Sequence, residues 1–208
     1  GIYLKFLSRS LVKLGHEVTV VSGPPYPELD SRVRLVQLPS LDLYANGLHS
    51  VKPLQLLHRL ERVEWLSKFS GGFAEPWTFG ERAFQWILPR AHEFDVIHNN
   101  QTLADGILRL QHHGLTLVTT IHHPITRDLK MALAAEDNWC LRLLIRRWHS
   151  FLRMQKRIAP CLKNIVTVSA EAAADITTDF NVPRDVIRVM PLGVDTELFR
   201  PLPHIHRK

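Results

Sequence analysis

The chain has 208 residues, 45% hydrophobic, 22% charged and 8% aromatic, a balance that excludes disordered and fibrous classes. A chain this long buries about 70% of its unfolded surface and needs no disulfide framework, and no apolar run reaches the roughly 18 residues of a membrane span. Twenty-six Lys and Arg against 20 Asp and Glu leave a net charge of +6, which favours anionic partners such as nucleotides or phosphorylated lipids; no zinc-knuckle, RNP-like or helix-turn-helix pattern points to nucleic acid.

Leu4, Leu7, Leu11 and Leu14 step along one face of an amphipathic helix, and Gly15 follows where a left-handed C-cap belongs. The β-branched run Glu17-Val18-Thr19-Val20-Val21-Ser22-Gly23 reads as a buried strand stopped by Pro24, Pro25 and Pro27. A second strand covers residues 34–39. Residues 52–69 and 79–92 read as helices on either side of a Gly71-Gly72 loop. Strand and helix then alternate: strand 95–98, helix 103–112, strand 115–121, a long helix 137–159 ending at Pro160, strand 164–169, helix 170–180 and strand 186–191. Cys140 and Cys161 lack C-x-x-C spacing and read as buried thiols in a reducing compartment, which favours the cytoplasm.

Apolar strands alternating with helices predict an α/β, Rossmann-like doubly wound parallel sheet covered by helices on both faces. Such folds place ligands at the carboxyl ends of the strands. That rule selects Ser22-Gly23-Pro24, His98-Asn99-Asn100-Gln101, His122-His123-Pro124, Ser169-Ala170-Glu171 and Leu192-Gly193-Val194-Asp195.

Several segments, in order and at suitable spacing, resemble the N-terminal domain of glycosyltransferase family 4, retaining enzymes of the two-domain GT-B fold. They are Gly1-Ile2 with the helix behind it, Leu14-Gly15-His16-Glu17-Val18-Thr19-Val20, Phe94-Asp95-Val96-Ile97-His98, Thr120-Ile121-His122, Ile165-Val166-Thr167-Val168-Ser169 and Met190-Pro191-Leu192-Gly193-Val194-Asp195 with Phe199 and Pro201. Residues 40–93 add little to the match. The resemblance implies an acceptor-side domain over residues 1–200 and the start of an interdomain linker at 201–208. In the family, a first strand and a Gly-rich loop precede the position of Ile2, and a second, C-terminal domain binds the donor through paired glutamates and a basic residue. Of that strand and loop only Gly1 is expected to remain here, as the loop's last glycine, and nothing after Pro201 is expected to supply the second domain, so the chain is expected to be truncated at both ends and inactive alone.

The family's activity implies transfer of a sugar from a nucleotide-sugar to an acceptor hydroxyl with retention of configuration, without metal or other cofactor. Gly1, ahead of the first helix, would support the donor's phosphates, because free N–H groups at a helix start favour anions. His122, at the end of a central strand, would be the catalytic residue, bonding the donor sugar or the reacting phosphate; His123 points the other way. Asn99, Asn100 and Gln101 would bind acceptor hydroxyls, or else form an Asx turn and a helix cap. In the 141–157 segment, Arg142, Arg146, His149, Arg153 and Arg157 share one face, and Leu141, Leu144, Ile145, Trp148 and Leu152 share another. This reads first as a surface helix packed on the sheet. The alternative is peripheral docking to anionic lipid at the inner face of a membrane, where a lipid-linked acceptor would lie; residues 54–69, with Leu57, Trp65, Leu66 and Phe69, offer a further contact surface. Two other functions stay open: a non-catalytic sugar- or nucleotide-binding module, and a metal-dependent hydrolase built on His98, His122 and His123, although no H-x-x-x-H or H-E-x-x-H spacing supports a preformed metal site.

Overall fold

The structure, a computed structural model, describes residues 2–196. Gly1, Phe199, Pro201 and the expected linker at 201–208 lie outside the described residues. The chain runs α1 (Ile2–Lys13), β1 (Thr19–Ser22), β2 (Arg34–Gln37), α2 (Leu43–Asn46), α3 (Arg59–Phe69), α4 (Glu75–Ile87), β3 (Ile97–Asn100), α5 (Asp105–His112), β4 (Leu117–Thr120), α6 (Thr126–Ala134), α7 (Trp139–Trp148), α8 (Leu152–Ile158), β5 (Ile165–Thr167), α9 (Ala170–Phe180) and β6 (Ile187–Val189). All strand pairs are parallel. The α/β parallel architecture is therefore as expected. The strands form two sheets among the described residues, β1-β2 and β3-β4-β5-β6, rather than one.

The four-stranded sheet carries the core. Leu117, Ile121, Ile165 and Ile187 are at most 2% exposed, and they pack with Ile107 and Leu110 of α5, Ile158 of α8 and Ile176 and Phe180 of α9. Fully burying such a side chain stabilises the fold by roughly 1.5–3 kcal/mol. The helix in front of this layer comes close for a sequence reason: α4 and α5 meet at Gly80 and Gly106, where a Cβ on Gly106 would stand 2.0 Å from the Gly80 carbonyl oxygen. Gly15 takes φ +90°, the left-handed cap expected after α1.

Several expected helices have different bounds. The 52–69 helix opens as a 3₁₀ turn, Pro53–Leu57, and restarts at α3 because His58 is extended (φ −80°, ψ 136°). Helix α4 starts earlier than predicted, with Pro76 in its first turn, where a missing N–H costs nothing. It passes into a 3₁₀ segment, Leu88–Glu93, at Pro89. The long 137–159 helix breaks at a 3₁₀ turn, His149–Phe151, and His149, expected on the exposed basic face, is buried there. Its two halves also differ in burial: α8 buries Leu152, Gln155 and Ile158, whereas α7, capped by Asn138 accepting from the Cys140 and Leu141 N–H groups, buries no residue. Both cysteines are exposed, contrary to expectation. Cys140 lies on α7, which stands clear of the core, and Cys161 in the turn that follows α8. No helix among the described residues is long and apolar enough to cross a membrane.

Candidate active site at the ends of β3 and β4

Strand β3 runs two residues past its predicted end, to Asn100, and this sets the geometry of the site. Side chains alternate across a strand, so His98 and Asn100 share one face while Asn99 takes the other. Register pairs His98 with Val118, Asn99 with Thr119 and Asn100 with Thr120. Asn99 is consequently buried. Its Nδ2 donates to Thr102 O and Thr119 Oγ1, and its Oδ1 accepts from the Thr102 N–H at 3.2 Å, side-chain bonds that tie the loop after the strand. The following helix α5 is preceded by Ala104, not by an Asx cap.

Gln101 has φ +61°, unusual for a residue with a Cβ. Its amide brackets the end of β4: Oε1 accepts from the His122 N–H at 3.0 Å, and Nε2 donates to the His123 carbonyl at 3.0 Å. Its own backbone N–H donates to Thr120 O at 2.9 Å. Gln101 thus fixes the backbone on which His122 stands.

The exposed Asn100 reaches His122 directly, with Oδ1 2.9 Å from Nε2. Next to it, His98 Nε2 lies 2.7 Å from Thr120 Oγ1. The Tyr3 ring of α1 meets the His122 ring edge-on, centroids 4.7 Å apart. Partial burial and, less strongly, the neighbouring His123 hold the His122 pKa below its ordinary 6.5. His98 is lowered by burial and by His122. Both rings are therefore mostly neutral at pH 7. His123 points away, its Nε2 3.5 Å from an Asp128 carboxylate oxygen.

The structure thus brings His122, Asn100 and Gln101 together, turns Asn99 inward, and adds Tyr3, which sequence reasoning did not select. Its place in the first turn of α1, next to the expected phosphate-binding glycine, was the available signal. Ser169, another strand-end residue, caps α9, its Oγ accepting from the Ala172 N–H at 3.1 Å. Among the described residues no three His, Cys, Asp or Glu side chains group as metal ligands do. The arrangement offers a neutral imidazole and amide groups at one strand mouth, suited to polar, uncharged hydroxyls.

The model of Glycosyltransferase Family 4 matches residues 1–198. The chain belongs to glycosyltransferase family 4. It is also 46% identical over 204 residues to an MMP alpha-(1->4)-mannosyltransferase of Mycolicibacterium hassiacum, an alignment that covers 97% of this chain and 49% of that protein. The chain thus spans about half the length of the curated relative it matches. In this family 4 chain, the motifs at Thr120-Ile121-His122 and Phe94-Asp95-Val96-Ile97-His98 are the ones whose ends build the site.

Proposed function

We propose that this chain is the acceptor-side half of a retaining hexosyltransferase that moves a mannosyl or related unit from a nucleotide-sugar to an acceptor sugar hydroxyl. The observation that carries the reading is the family match over residues 1–198, and the mannosyltransferase relative supports the choice of sugar. In such a transfer the bond from the sugar's C1 to the diphosphate oxygen breaks. The acceptor oxygen bonds C1 on the same face, and the hydroxyl proton passes to the departing phosphate oxygen. Gly1 would support the donor's phosphates from outside the described residues. His122 would hold the donor sugar, and Asn100 and Gln101 would lie beside the acceptor. Binding geometry of this kind lowers the barrier by holding the reactants in reach of one another.

The test uses protein expressed from the whole reading frame, incubated with a panel of nucleotide-linked hexoses and mannoside acceptors, with and without EDTA. The expected result is an α-linked product from an α-linked donor, formed equally in EDTA. His122→Ala should lower kcat/KM by about tenfold to a hundredfold, as loss of a positioned hydrogen bond does. A β-linked product would overturn retention, and loss of transfer in EDTA would overturn the metal-independent reading.

A second reading concerns location. Helix α7 exposes Trp139 (70%), Leu143 and Leu144 (each 52%) on the helix that also carries Arg146, which favours peripheral contact with an anionic membrane. Co-sedimentation with phosphatidylserine-containing vesicles, and its loss in Trp139→Ser/Arg146→Glu, is expected. Equal sedimentation of the variant would remove the reading.

A further inference from the structure

The contact between Asn100 and His122 bears on what kind of ligand the histidine can take. An amide oxygen only accepts hydrogen bonds, so with Asn100 Oδ1 turned toward the ring, 2.9 Å from a ring nitrogen, that nitrogen is assigned the hydrogen. That nitrogen is Nε2. In a neutral ring the other nitrogen, Nδ1, then keeps its lone pair and can only accept. Nδ1 has no hydrogen-bond partner among the described residues. The rest of the surroundings restrain the ring without competing for either nitrogen. Gln101 holds the backbone N–H of His122, Tyr3 packs against the ring edge-on, and His98 is engaged with Thr120.

A phosphate oxygen at neutral pH has no hydrogen to give, so a ring locked in this form has nothing to offer it. A hydroxyl has a hydrogen to give. We propose that Asn100 is a positioning residue that holds His122 in the Nε2–H form, making His122 an acceptor of a hydrogen bond from a sugar hydroxyl and not a donor to phosphate. The part of this that concerns sugar rests on the function proposed above; the part that concerns Asn100 stands on the geometry alone. It gives Asn100 a task different from direct acceptor binding: Asn100 acts through the histidine.

The titratable groups facing His122 are His98 on β3, Tyr3 on α1 and His123 beside it, with Asp128 reaching His123 from α6. None of these is a carboxylate in contact with the His122 ring. Placing one there is therefore a clean perturbation. In Asn100→Asp the acceptor is kept and a negative charge is added, which favours the protonated ring.

Long-range ¹H–¹⁵N spectra of the uniformly labelled chain read the two ring nitrogens of His122 directly. The expected spectrum at pH 7.5 shows Nε2 protonated and Nδ1 bare, and Asn100→Asp should raise the pH at which the ring titrates by about one unit or more. A hydrogen on Nδ1, or an unmoved titration in Asn100→Asp, would overturn the Asn100 assignment. In protein from the whole reading frame, kcat/KM for hexosyl transfer should rise with pH as His122 loses its proton, and Asn100→Asp should move that limb to higher pH by the same amount. A rate that instead falls as the ring deprotonates would overturn the hydroxyl-acceptor role in favour of a cation at phosphate. Absence of any hexosyl transfer would count against the proposed function and leave the nitrogen assignment untouched, because the spectra do not depend on turnover.

Discussion

Two polar clusters of similar size differ in what they leave unsatisfied. The first lies between α3 and α4. Glu64 is 1% exposed, Thr78 0% and Arg82 7%. Glu64 Oε1 accepts from Thr78 Oγ1 at 2.6 Å and from Arg82 Nη1 at 2.5 Å. Its Oε2 accepts from the Leu41 N–H at 3.0 Å, and Arg82 Nη2 reaches Glu61 at 3.2 Å. Both carboxylate oxygens and both terminal guanidinium nitrogens are engaged, and solvent is excluded. The second cluster is the strand mouth of His98, Asn100 and His122, where each ring has one nitrogen bonded within the protein and one without a partner among the described residues. A closed network specifies how its elements pack; an open one has capacity left for a ligand. Polarity by itself separates neither. The unfilled valences do.

The contrast predicts opposite responses to substitution. Arg82→Met leaves a buried carboxylate without its charged partner, and such a loss costs about 3–5 kcal/mol. Urea denaturation should show that fall, while the His122 ring signals keep their wild-type titration. His122→Ala and Asn100→Ala should each change stability by less than about 0.5 kcal/mol, as surface substitutions do. If the strand-mouth variants were the more destabilising, the two clusters would have to exchange roles.

Legibility in the sequence follows the same division. Strands β4 and β5, the cap at Gly15 and the gathering of His98, Asn100 and His122 at strand ends could all be read from local pattern, because each depends on neighbours a few residues away. The Glu64–Arg82 cluster could not. It joins Leu41, Glu64, Thr78 and Arg82 across loops whose lengths no periodicity sets, within the very stretch, 40–93, that carries the weakest family signal. Asn99, open in the sequence to either acceptor binding or a turn, bonds its own loop for a smaller reason. A strand ending at 98 assigns the side chain of 99 to neither face, whereas the two further residues of β3 extend the alternation and turn that side chain inward. The break at 149–151 has no glycine or proline to announce it, and it is tertiary burial of Leu152, Gln155 and Ile158 that distinguishes α8 from α7.

The smallest expected effect is a pH dependence of stability that belongs to the open cluster alone. His98 and His122 both have folded-state pKa values below the ordinary 6.5, chiefly through burial. The unfolded chain therefore binds more protons than the folded one as pH drops below 6.5, and stability must decline with falling pH in that window. Above 6.5 both states are neutral at these positions and the contribution is fully present. Because both rings remain in contact with water, the decline is modest, and screening reduces it further. Urea midpoints measured between pH 5 and 8 should decline on the acid side in the wild type and flatten in the His98→Asn/His122→Asn double variant, with the Glu64–Arg82 cluster intact in both. A wild-type curve that stayed level, or an acid-side decline as steep in the double variant, would mean that the strand mouth is not where the protons bind, and the neutral ring on which an accepting His122 depends would lose its support.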